Sequence, residues 1–320
     1  MQMNKIIKTF FILITILFLT SCDGISKQQL IKQTEKAIAY FNYSDFANIG
    51  ALESPWYERY NVIAHAFGGI DSYDYTNSYE ALVANYNLGT RVFEIDIATT
   101  SNGDLVLLHE WNQYHEEFGL GEKDGWTEES TEFFLNNKIY GKYTTMTFAD
   151  LIKIMNVVED IYLVLDSKTF DTKETKEVYS HLLHEIDLVN SDLTSRIIPQ
   201  AYSPEIYNVI NELERFDDII FTLYHYYVSS DGYNIYNFVK EKKIRNIVMH
   251  MNDDWAKRVI RDVRDYSMYD EEWNYENINI YIHTINDLDT SREIIFKENF
   301  KGIYSDFISE NQIKNIMREK

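Results

Sequence analysis

Residues 92–109 read VFEIDIATTSNGDLVLLH, and this stretch decides the expected fold. Residues 92–97 and 105–108 are apolar, partly β-branched runs of strand length. Asn102-Gly103 lies between them and is a strong signal for a short hairpin turn. The stretch therefore predicts two antiparallel strands joined by a tight turn.

The predicted hairpin brings charged side chains together. Facing residues have Cβ atoms roughly 4.5–5.5 Å apart, and Glu94 shares a face with Asp96 because side chains alternate along a strand. Acids in a strand this apolar are costly to bury without a cation or hydrogen bonds. The pattern favours a functional site, and the alternative is an exposed hairpin whose acids face solvent. A two-residue turn predicts three facing pairs, namely Ser101 with Asp104, Asp96 with His109, and Glu94 with Trp111.

Residues 1–22 are typical of a targeting segment. Lys5 and Lys8 precede an apolar run at 9–18 that is too short for a comfortable membrane span, and small residues lead to Cys22. This pattern resembles a bacterial secretory signal ending in a lipobox. It predicts lipidation of Cys22 and export as a membrane-anchored lipoprotein of the bacterial cell envelope. The alternative is a generic signal peptide with a coincidental cysteine.

Composition limits the partners of the protein. Cys22 is the single cysteine, so the chain has no intramolecular disulfide and no cysteine-based metal site. The formal charge of −21 argues against nucleic acid and against electrostatic adhesion to anionic lipid. We expect contact with a membrane to come from the lipid anchor alone.

The rest of the chain alternates strand-like and helical runs, which predicts a parallel sheet with helices outside. Nine strand-like runs are present, and residues 98–104 are too few for the helical crossover between parallel neighbours, so 105–108 is a hairpin arm. Eight strands remain, which predicts an α/β fold of the (β/α)8 TIM barrel type. The predicted organisation is a tether and N-terminal helix at 23–58 and a barrel at 59–320, with an insertion around 111–142.

Polar residues follow the apolar runs at their C-terminal ends, where the sites of such barrels form. The long insertion after the site strand is typical of a lid or specificity element. Its aromatic residues could line a lipid or alcohol pocket, or equally form the core of the insertion. The polar residues at strand ends are His65, Asp166, Lys168, Gln200, Tyr224, His250 and His283.

These residues carry a resemblance to the glycerophosphodiester phosphodiesterases, which are related to the phosphatidylinositol-specific phospholipase C-like group. The resemblance covers residues 61–308, and the order and spacing of its motifs make it specific. The matching segments are Ile63-Ala64-His65-Ala66, Thr76-Asn77-Ser78, Glu94-Ile95-Asp96, the strand ending in His109, Asp166-Ser167-Lys168, Thr284-Ile285-Asn286 and Ser305-Asp306.

The resemblance implies a barrel in which His65 and His109 act as general acid and base, while Glu94, Asp96 and Asp166 bind one divalent cation. Physical chemistry supports the same roles. Three carboxylates without cysteine suit a hard ion, Mg²⁺ or Ca²⁺, and a histidine on each side of a phosphate can move the two protons of hydrolysis.

Two further residues are assigned to substrate binding. Lys168 would supply a point charge to the phosphate. His283 is placed at the substrate, with a structural role as its alternative.

Two departures from the family pattern concern the substrate. Ala66 stands where the family has an arginine, which removes a charge-assisted phosphate contact of about 1.5–3 kcal/mol. Asp166 stands where the family has a glutamate, and its shorter side chain reduces the reach to a metal. Both changes resemble the sphingomyelinase D-like toxins, which have the same fold.

The sequence therefore predicts metal-dependent hydrolysis of a small glycerophosphodiester to an alcohol and glycerol phosphate. One alternative is phospholipase C- or D-like cleavage of phospholipids, lysophospholipids or sphingolipids on the same fold. Another, suggested by Ala66, is a non-catalytic protein that binds phospholipid headgroups.

Overall fold

A computed structural model describes residues 41–46, 55–116, 118, 127–224, 232–270 and 275–318. The chain forms two compact units, Met1–Ser44 and Asp45–Lys320. In the first unit, the Ser44 hydroxyl donates a hydrogen bond to Asn42 Oδ1. Cys22, the rest of the predicted targeting segment and most of the predicted tether lie outside the described residues. The second unit contains the barrel.

Eight parallel strands close into a barrel, which confirms the predicted (β/α)8 fold. Hydrogen-bonded neighbours follow the order β1-β9-β8-β7-β6-β5-β4-β2, and β1 pairs with β2 to close the ring. β3 pairs antiparallel with β2 outside the ring, as expected for a hairpin arm. The strands are β1 (Val62–Ala64), β2 (Val92–Thr99), β3 (Leu105–Leu107), β4 (Tyr162–Asp166), β5 (Ile197–Ala201), β6 (Ile220–Leu223), β7 (Asn246–His250), β8 (Asn279–His283) and β9 (Gly302–Ser305).

Helices surround the barrel and begin close to the C-terminal ends of the strands. Side-chain caps fix several of these starts, since Ser78, Asp171 and Ser203 each accept a backbone N–H of the helix that follows. None of the helices within the described ranges is long and apolar enough to cross a membrane. The helices are α1 (Trp56–Arg59), α2 (Tyr79–Asn87), α3 (Trp111–Glu116), α4 (Thr131–Asn136), α5 (Phe148–Val157), α6 (Thr172–Val189), α7 (Pro204–Asn211), α8 (Gly232–Lys242), α9 (Asp254–Ser267), α10 (Leu288–Phe296) and α11 (Glu310–Arg318).

The β2–β3 hairpin exists, but its predicted register is wrong by one residue. Ala98 pairs with Val106, and the turn has three residues, 101–103, of which Gly103 adopts a left-handed φ of 89°. Thr100 closes this turn, because its N–H donates to the carbonyl of Asp104 at 2.9 Å. A three-residue hairpin with glycine in the left-handed region is the next most common solution after the two-residue turn. The three predicted pairs, Ser101 with Asp104, Asp96 with His109 and Glu94 with Trp111, therefore do not form.

The insertion has a small apolar core of its own. Its helices α3 and α4 pack with β3 residues, and no open aromatic pocket is needed to explain the buried rings. This arrangement supports the second of the two predicted uses of the insertion aromatics. The cluster consists of Val106, Leu108, Trp111, Tyr114, Phe118, Phe134, Ile139 and Tyr143.

The N-terminal end of the barrel is closed by Trp56. The indole stacks on Tyr281 with ring centroids 5.4 Å apart, and its Nε1 donates to Asp218 Oδ2 at 3.0 Å. Asn246 also donates to this carboxylate, and so does the N–H of Ile219. We call Trp56, Asp218, Asn246 and Tyr281 the barrel floor. A floor closed in this way leaves the opposite end for a site.

Candidate active site

The predicted site residues meet at the mouth of the barrel, by which we mean the C-terminal strand ends and the loops that follow them. Glu94 and Asp96 lie in β2, and Asp166 ends β4. The parallel register pairs Asp96 directly with Asp166. His65 follows β1, and His109 lies beyond the end of β3. The fold therefore brings together residues that are about a hundred positions apart in sequence.

The three acids form one cluster. Each of Glu94, Asp96 and Asp166 offers a carboxylate oxygen, and these oxygens all lie within 4.8 Å of one another. Glu94 is 2% exposed and Asp96 is 1% exposed. Burial and the charge of Asp96 raise the pKa of Glu94, and burial also raises the pKa of Asp166. Burial and like charge therefore disfavour the ionised forms of Glu94 and Asp166, whereas the positive charges of Lys168 and the two histidines lower the pKa of Asp96 against the effect of burial.

Neighbouring groups orient the acids. The N–H of Ala66 donates to Glu94 Oε2 at 2.7 Å. Asn77 holds Asp96 from both sides, since its Nδ2 donates to Asp96 Oδ2 at 2.9 Å and its Oδ1 accepts the N–H of Asp96 at 3.2 Å. The hydroxyl of Tyr202 donates to Asp166. These contacts fix the carboxylates so that their remaining lone pairs converge.

The cluster fits a hard divalent cation. All of its donors are oxygens, which Mg²⁺ and Ca²⁺ prefer. Within the described residues, Lys168 is the cation hydrogen-bonded to the acids, and one ammonium cannot neutralise three buried carboxylates. A 2+ ion would supply the missing charge.

His65 is buried beside the cluster. Its Nδ1 is hydrogen-bonded to Asp306 Oδ1 at 2.7 Å. Burial alone would lower the pKa of His65, but this hydrogen bond and the charges of Glu94, Asp306 and Asp96 outweigh burial and raise it to about 9. Asn286 in turn donates to the other oxygen of Asp306 at 2.6 Å. His65 is therefore held in one orientation and in its charged form.

His109 also lies close enough to Asp96 to feel its charge. Burial lowers the pKa of His109, against the charges of Asp96 and Asp166, so that its neutral form is favoured. The charge of Asp96 acts on both histidines, whereas Glu94 and Asp306 act on His65, and Glu110 and Asp166 act on His109. The ring of Tyr75 contacts both imidazoles, with centroids 4.5 Å from His65 and 4.9 Å from His109. One histidine is therefore set up to hold a proton and the other to accept one.

The two residues predicted to bind substrate also lie at the mouth. The ammonium of Lys168 donates to Asp96 Oδ1 at 2.7 Å and to the carbonyl of His109 at 2.9 Å. The ring of His283 packs edge-on against His65, with centroids 4.7 Å apart. Burial lowers the pKa of His283 well below its usual value, so this ring is neutral. Their roles toward a substrate stay predictions.

Two residues of the matched motifs orient the predicted site residues, although the sequence alone indicates no role for them. Asn77 and Asp306 belong to matched segments, and the hydrogen bonds now show that they orient Asp96 and His65. Tyr75 and Tyr202 carried no local signal, because tyrosine is common in this chain and their contacts are made across the mouth. Such long-range contacts follow from barrel closure rather than from a local pattern.

Ala66, the departure from the family pattern, has a backbone role. The residue is fully buried and adopts a left-handed φ of 47°. Its N–H points at Glu94, as described above. The position therefore contributes to the acid cluster through its main chain, whatever side chain it carries.

A separate cavity of about 700 Å³ lies between α9 and α10, outside the barrel. Its apolar wall includes Met249 and Ile282, and its charged rim includes Arg261 and Glu293. None of the predicted site residues lines this cavity. This cavity is therefore separate from the predicted site.

Comparison with known proteins identifies the fold. No family model and no curated protein matches the sequence. Solved glycerophosphodiester phosphodiesterases do match the structure. The enzyme from Thermotoga maritima is 16% identical with a TM-score of 0.56, and the match covers 82% of this chain and 98% of that chain. The enzyme from Parabacteroides distasonis is 13% identical with a TM-score of 0.55, covering 82% of this chain and 99% of that chain.

A third match is an Oleispira antarctica phosphodiesterase in complex with the product sn-glycerol-3-phosphate. It is 12% identical with a TM-score of 0.55, and the match covers 81% of this chain and 96% of that chain. At 12–16% sequence identity, the similarity to these proteins is a similarity of backbone fold. The chain therefore has the (β/α)8 barrel fold found in glycerophosphodiester phosphodiesterases of known structure.

Proposed function

We propose that this chain is a metal-dependent phosphodiesterase that hydrolyses glycerophosphodiesters to an alcohol and glycerol phosphate. The observation that carries the proposal is the convergence of three carboxylates at the barrel mouth, next to two histidines on which their charges act. The fold shared with glycerophosphodiester phosphodiesterases supports the same substrate class. So does the glycerol phosphate product bound by one of the matching proteins.

Glu94, Asp96 and Asp166 are the residues that would hold the cation. A divalent ion there supplies neutralisation of the charge that develops on a phosphate oxygen. Asn77 and the N–H of Ala66 keep the carboxylates in place without competing for all of their lone pairs. Lys168 adds a positive charge next to Asp96, where it can also reach a phosphate.

The two histidines divide the proton transfers. His109, whose neutral form is favoured, takes the proton from the attacking oxygen as the new P–O bond forms. His65, held in its charged form by Asp306, gives a proton to the oxygen of the departing alcohol as the old P–O bond breaks. The attacking oxygen belongs either to water or to a neighbouring substrate hydroxyl, and a cyclic phosphate product distinguishes the second route.

Phosphorus NMR of the reaction products tests this proposal. We expect glycerophosphocholine to yield glycerol phosphate, and His65→Ala and His109→Ala each to lower turnover at least about a hundredfold. His184→Ala, a histidine exposed on α6, is the matched control and keeps full turnover. Turnover of lysophosphatidylcholine alone would support the phospholipase alternative. Turnover that survives both substitutions would reject the acid–base assignment.

Lipidation of Cys22 and anchoring to the cell envelope are part of the proposal. They are supported by the lysines, the apolar run and the small residues that precede this cysteine. Metabolic labelling with a radioactive fatty acid in a bacterial host should label the wild-type chain and not Cys22→Ser. Equal labelling of both, or labelling of neither, would reject the anchor.

A further inference from the structure

The half of the mouth formed by β4 to β8 is lined with aromatic rings. Each ring contacts the next, with centroids 4.3–6.1 Å apart, and the closest pair is the stacked pair of Tyr224 and His250. The series ends against His65, whose ring lies 4.7 Å from that of His283. We call this series the aromatic arc, and it consists of Phe170, Tyr202, Tyr224, His250 and His283.

The aromatic arc begins at the acid cluster. Phe170 lies two positions after Lys168, and its ring is 5.2 Å from that of Tyr202. The hydroxyl of Tyr202 donates to Asp166, which ties the arc to a predicted metal ligand. Phe170 is 50% exposed. A group attached to a phosphate at the cluster would therefore meet an accessible aromatic surface.

The described parts of the loops that carry the arc beyond β4 contain no lysine or arginine. The acids in these segments are Asp253, Asp254 and Asp287. A positive charge meets the arc only at its last ring, where the charged His65 lies against His283. The described segments without lysine or arginine are 200–204, 223–224, 249–254 and 282–287.

Resting on the proposed phosphodiesterase function, we propose that the aromatic arc binds a quaternary ammonium group, so that the preferred substrate is a glycerophosphodiester of a cationic alcohol such as choline. Aromatic faces attract cations of this kind through the negative charge of the ring face. The segments carry acids and no lysine or arginine, so their own charge favours a cation.

The test compares two substrates of equal shape and different charge. We expect glycerophosphocholine to be hydrolysed with a kcat/KM about tenfold higher than its uncharged 3,3-dimethylbutyl analogue. Phe170→Ala should lower this ratio about fivefold, and Phe170→Tyr should restore most of it. Tyr269→Ala, which removes a ring that is 86% exposed at the end of α9, is the control and keeps the wild-type ratio.

Binding of the free alcohols separates this proposal from the proposed function. In saturation-transfer NMR we expect choline to show a signal that 3,3-dimethylbutanol does not match and that Phe170→Ala weakens. If choline binds in this way but no phosphodiester is hydrolysed, the arc is supported and the proposed function is rejected. If both substrates are hydrolysed equally, or both alcohols bind equally, the arc does not recognise a cation and this proposal is overturned.

Discussion

The two ends of the barrel bury acidic side chains in different surroundings. At the floor, Asp218 accepts hydrogen bonds from Trp56, Asn246 and the N–H of Ile219. Burial raises the pKa of this carboxyl to about 6, against the effect of those donors. The floor therefore contains one acid whose oxygens are occupied by neutral donors.

At the mouth, three acids have carboxylate oxygens within 4.8 Å of one another, and among the residues that the structure describes the ammonium of Lys168 contacts them. Burial raises the pKa of Glu94 and of Asp166, and nearby positive charge lowers the pKa of Asp96 against the effect of burial. Neutral donors fix the orientation of the carboxylates but do not balance their charge. Buried charge without a partner is unfavourable.

In this barrel, the side chains that stabilise the fold and those that would bind a cation lie at opposite ends. The floor pairs its one carboxylate with neutral donors and stabilises the closed barrel. The mouth leaves an excess of negative charge that an external cation would relieve, so binding the cation should also stabilise the fold. Substitutions at the floor should consequently change the stability of the fold, and substitutions at the mouth should change cation binding and turnover.

Trp56→Ala tests the floor and has the largest expected effect. Removal of a buried indole that stacks on Tyr281 should lower the free energy of unfolding by about 3–5 kcal/mol. Urea denaturation measures this change. The rise in melting temperature on addition of Ca²⁺ or Mg²⁺ should persist in the variant. Loss of that rise would show that the floor and the mouth are not independent.

Glu94→Gln tests the mouth. It removes one charge of the crowded cluster while keeping an acceptor for the N–H of Ala66, so the melting temperature in EDTA should stay the same or rise. Cation-dependent turnover should fall at least about a hundredfold, since loss of even an outer partner of a metal ligand commonly lowers affinity or activity 10–100-fold. A variant with unchanged turnover would remove Glu94 from the site.

Asp306→Asn tests whether the Asp306 carboxylate keeps His65 protonated. The carboxylate of Asp306 raises the pKa of His65, so its removal should lower that pKa. His65 would then lose the proton that it donates at a lower pH. Turnover should fall about tenfold, and the alkaline limb of the pH–rate profile should move to lower pH. Asp192→Asn, which changes an exposed acid after α6, is the control. An alkaline limb that does not move would show that Asp306 has only a structural role.

Asp218→Asn has the smallest expected effect on the mouth. Because the pKa of Asp218 is raised from 3.8 to about 6 in the folded chain, its contribution to stability is largest below pH 4 and is lost as the pH rises to about 6. The variant should lose less stability between pH 4.5 and pH 6.5, by about 2 kcal/mol. Chemical denaturation at pH 4.5 and 6.5 measures the difference. An identical decline in both proteins would contradict a raised pKa at the floor.

Local patterns were sufficient to predict most of the barrel. The strand ending in His250 and the one ending in His283 were recognisable as apolar runs, and their polar ends lie at the mouth as expected. The hairpin turn was predicted correctly as a turn but with the wrong length, because Asn102-Gly103 fits both a two-residue and a three-residue loop.

The site could be predicted only in part. Glu94 and Asp96 share a strand face, so their proximity follows from the period of two, and Asp166 joins them through the β2–β4 register. Tyr75 and Asp306 contact the histidines across the mouth, and no sequence periodicity encodes these contacts. The predicted pairing of His109 with Asp96 is absent, because β3 ends before His109 and the chain leaves the strand there. His109 nevertheless lies at the mouth.

Calorimetric titration of Ca²⁺ and of Mg²⁺ into the EDTA-treated protein tests the central claim most directly. We predict one binding site for a divalent cation in the wild-type chain and in Asp218→Asn, and no binding in Glu94→Gln. Absence of binding to the wild-type chain, or binding that Glu94→Gln leaves unchanged, would contradict a metal centre at the barrel mouth.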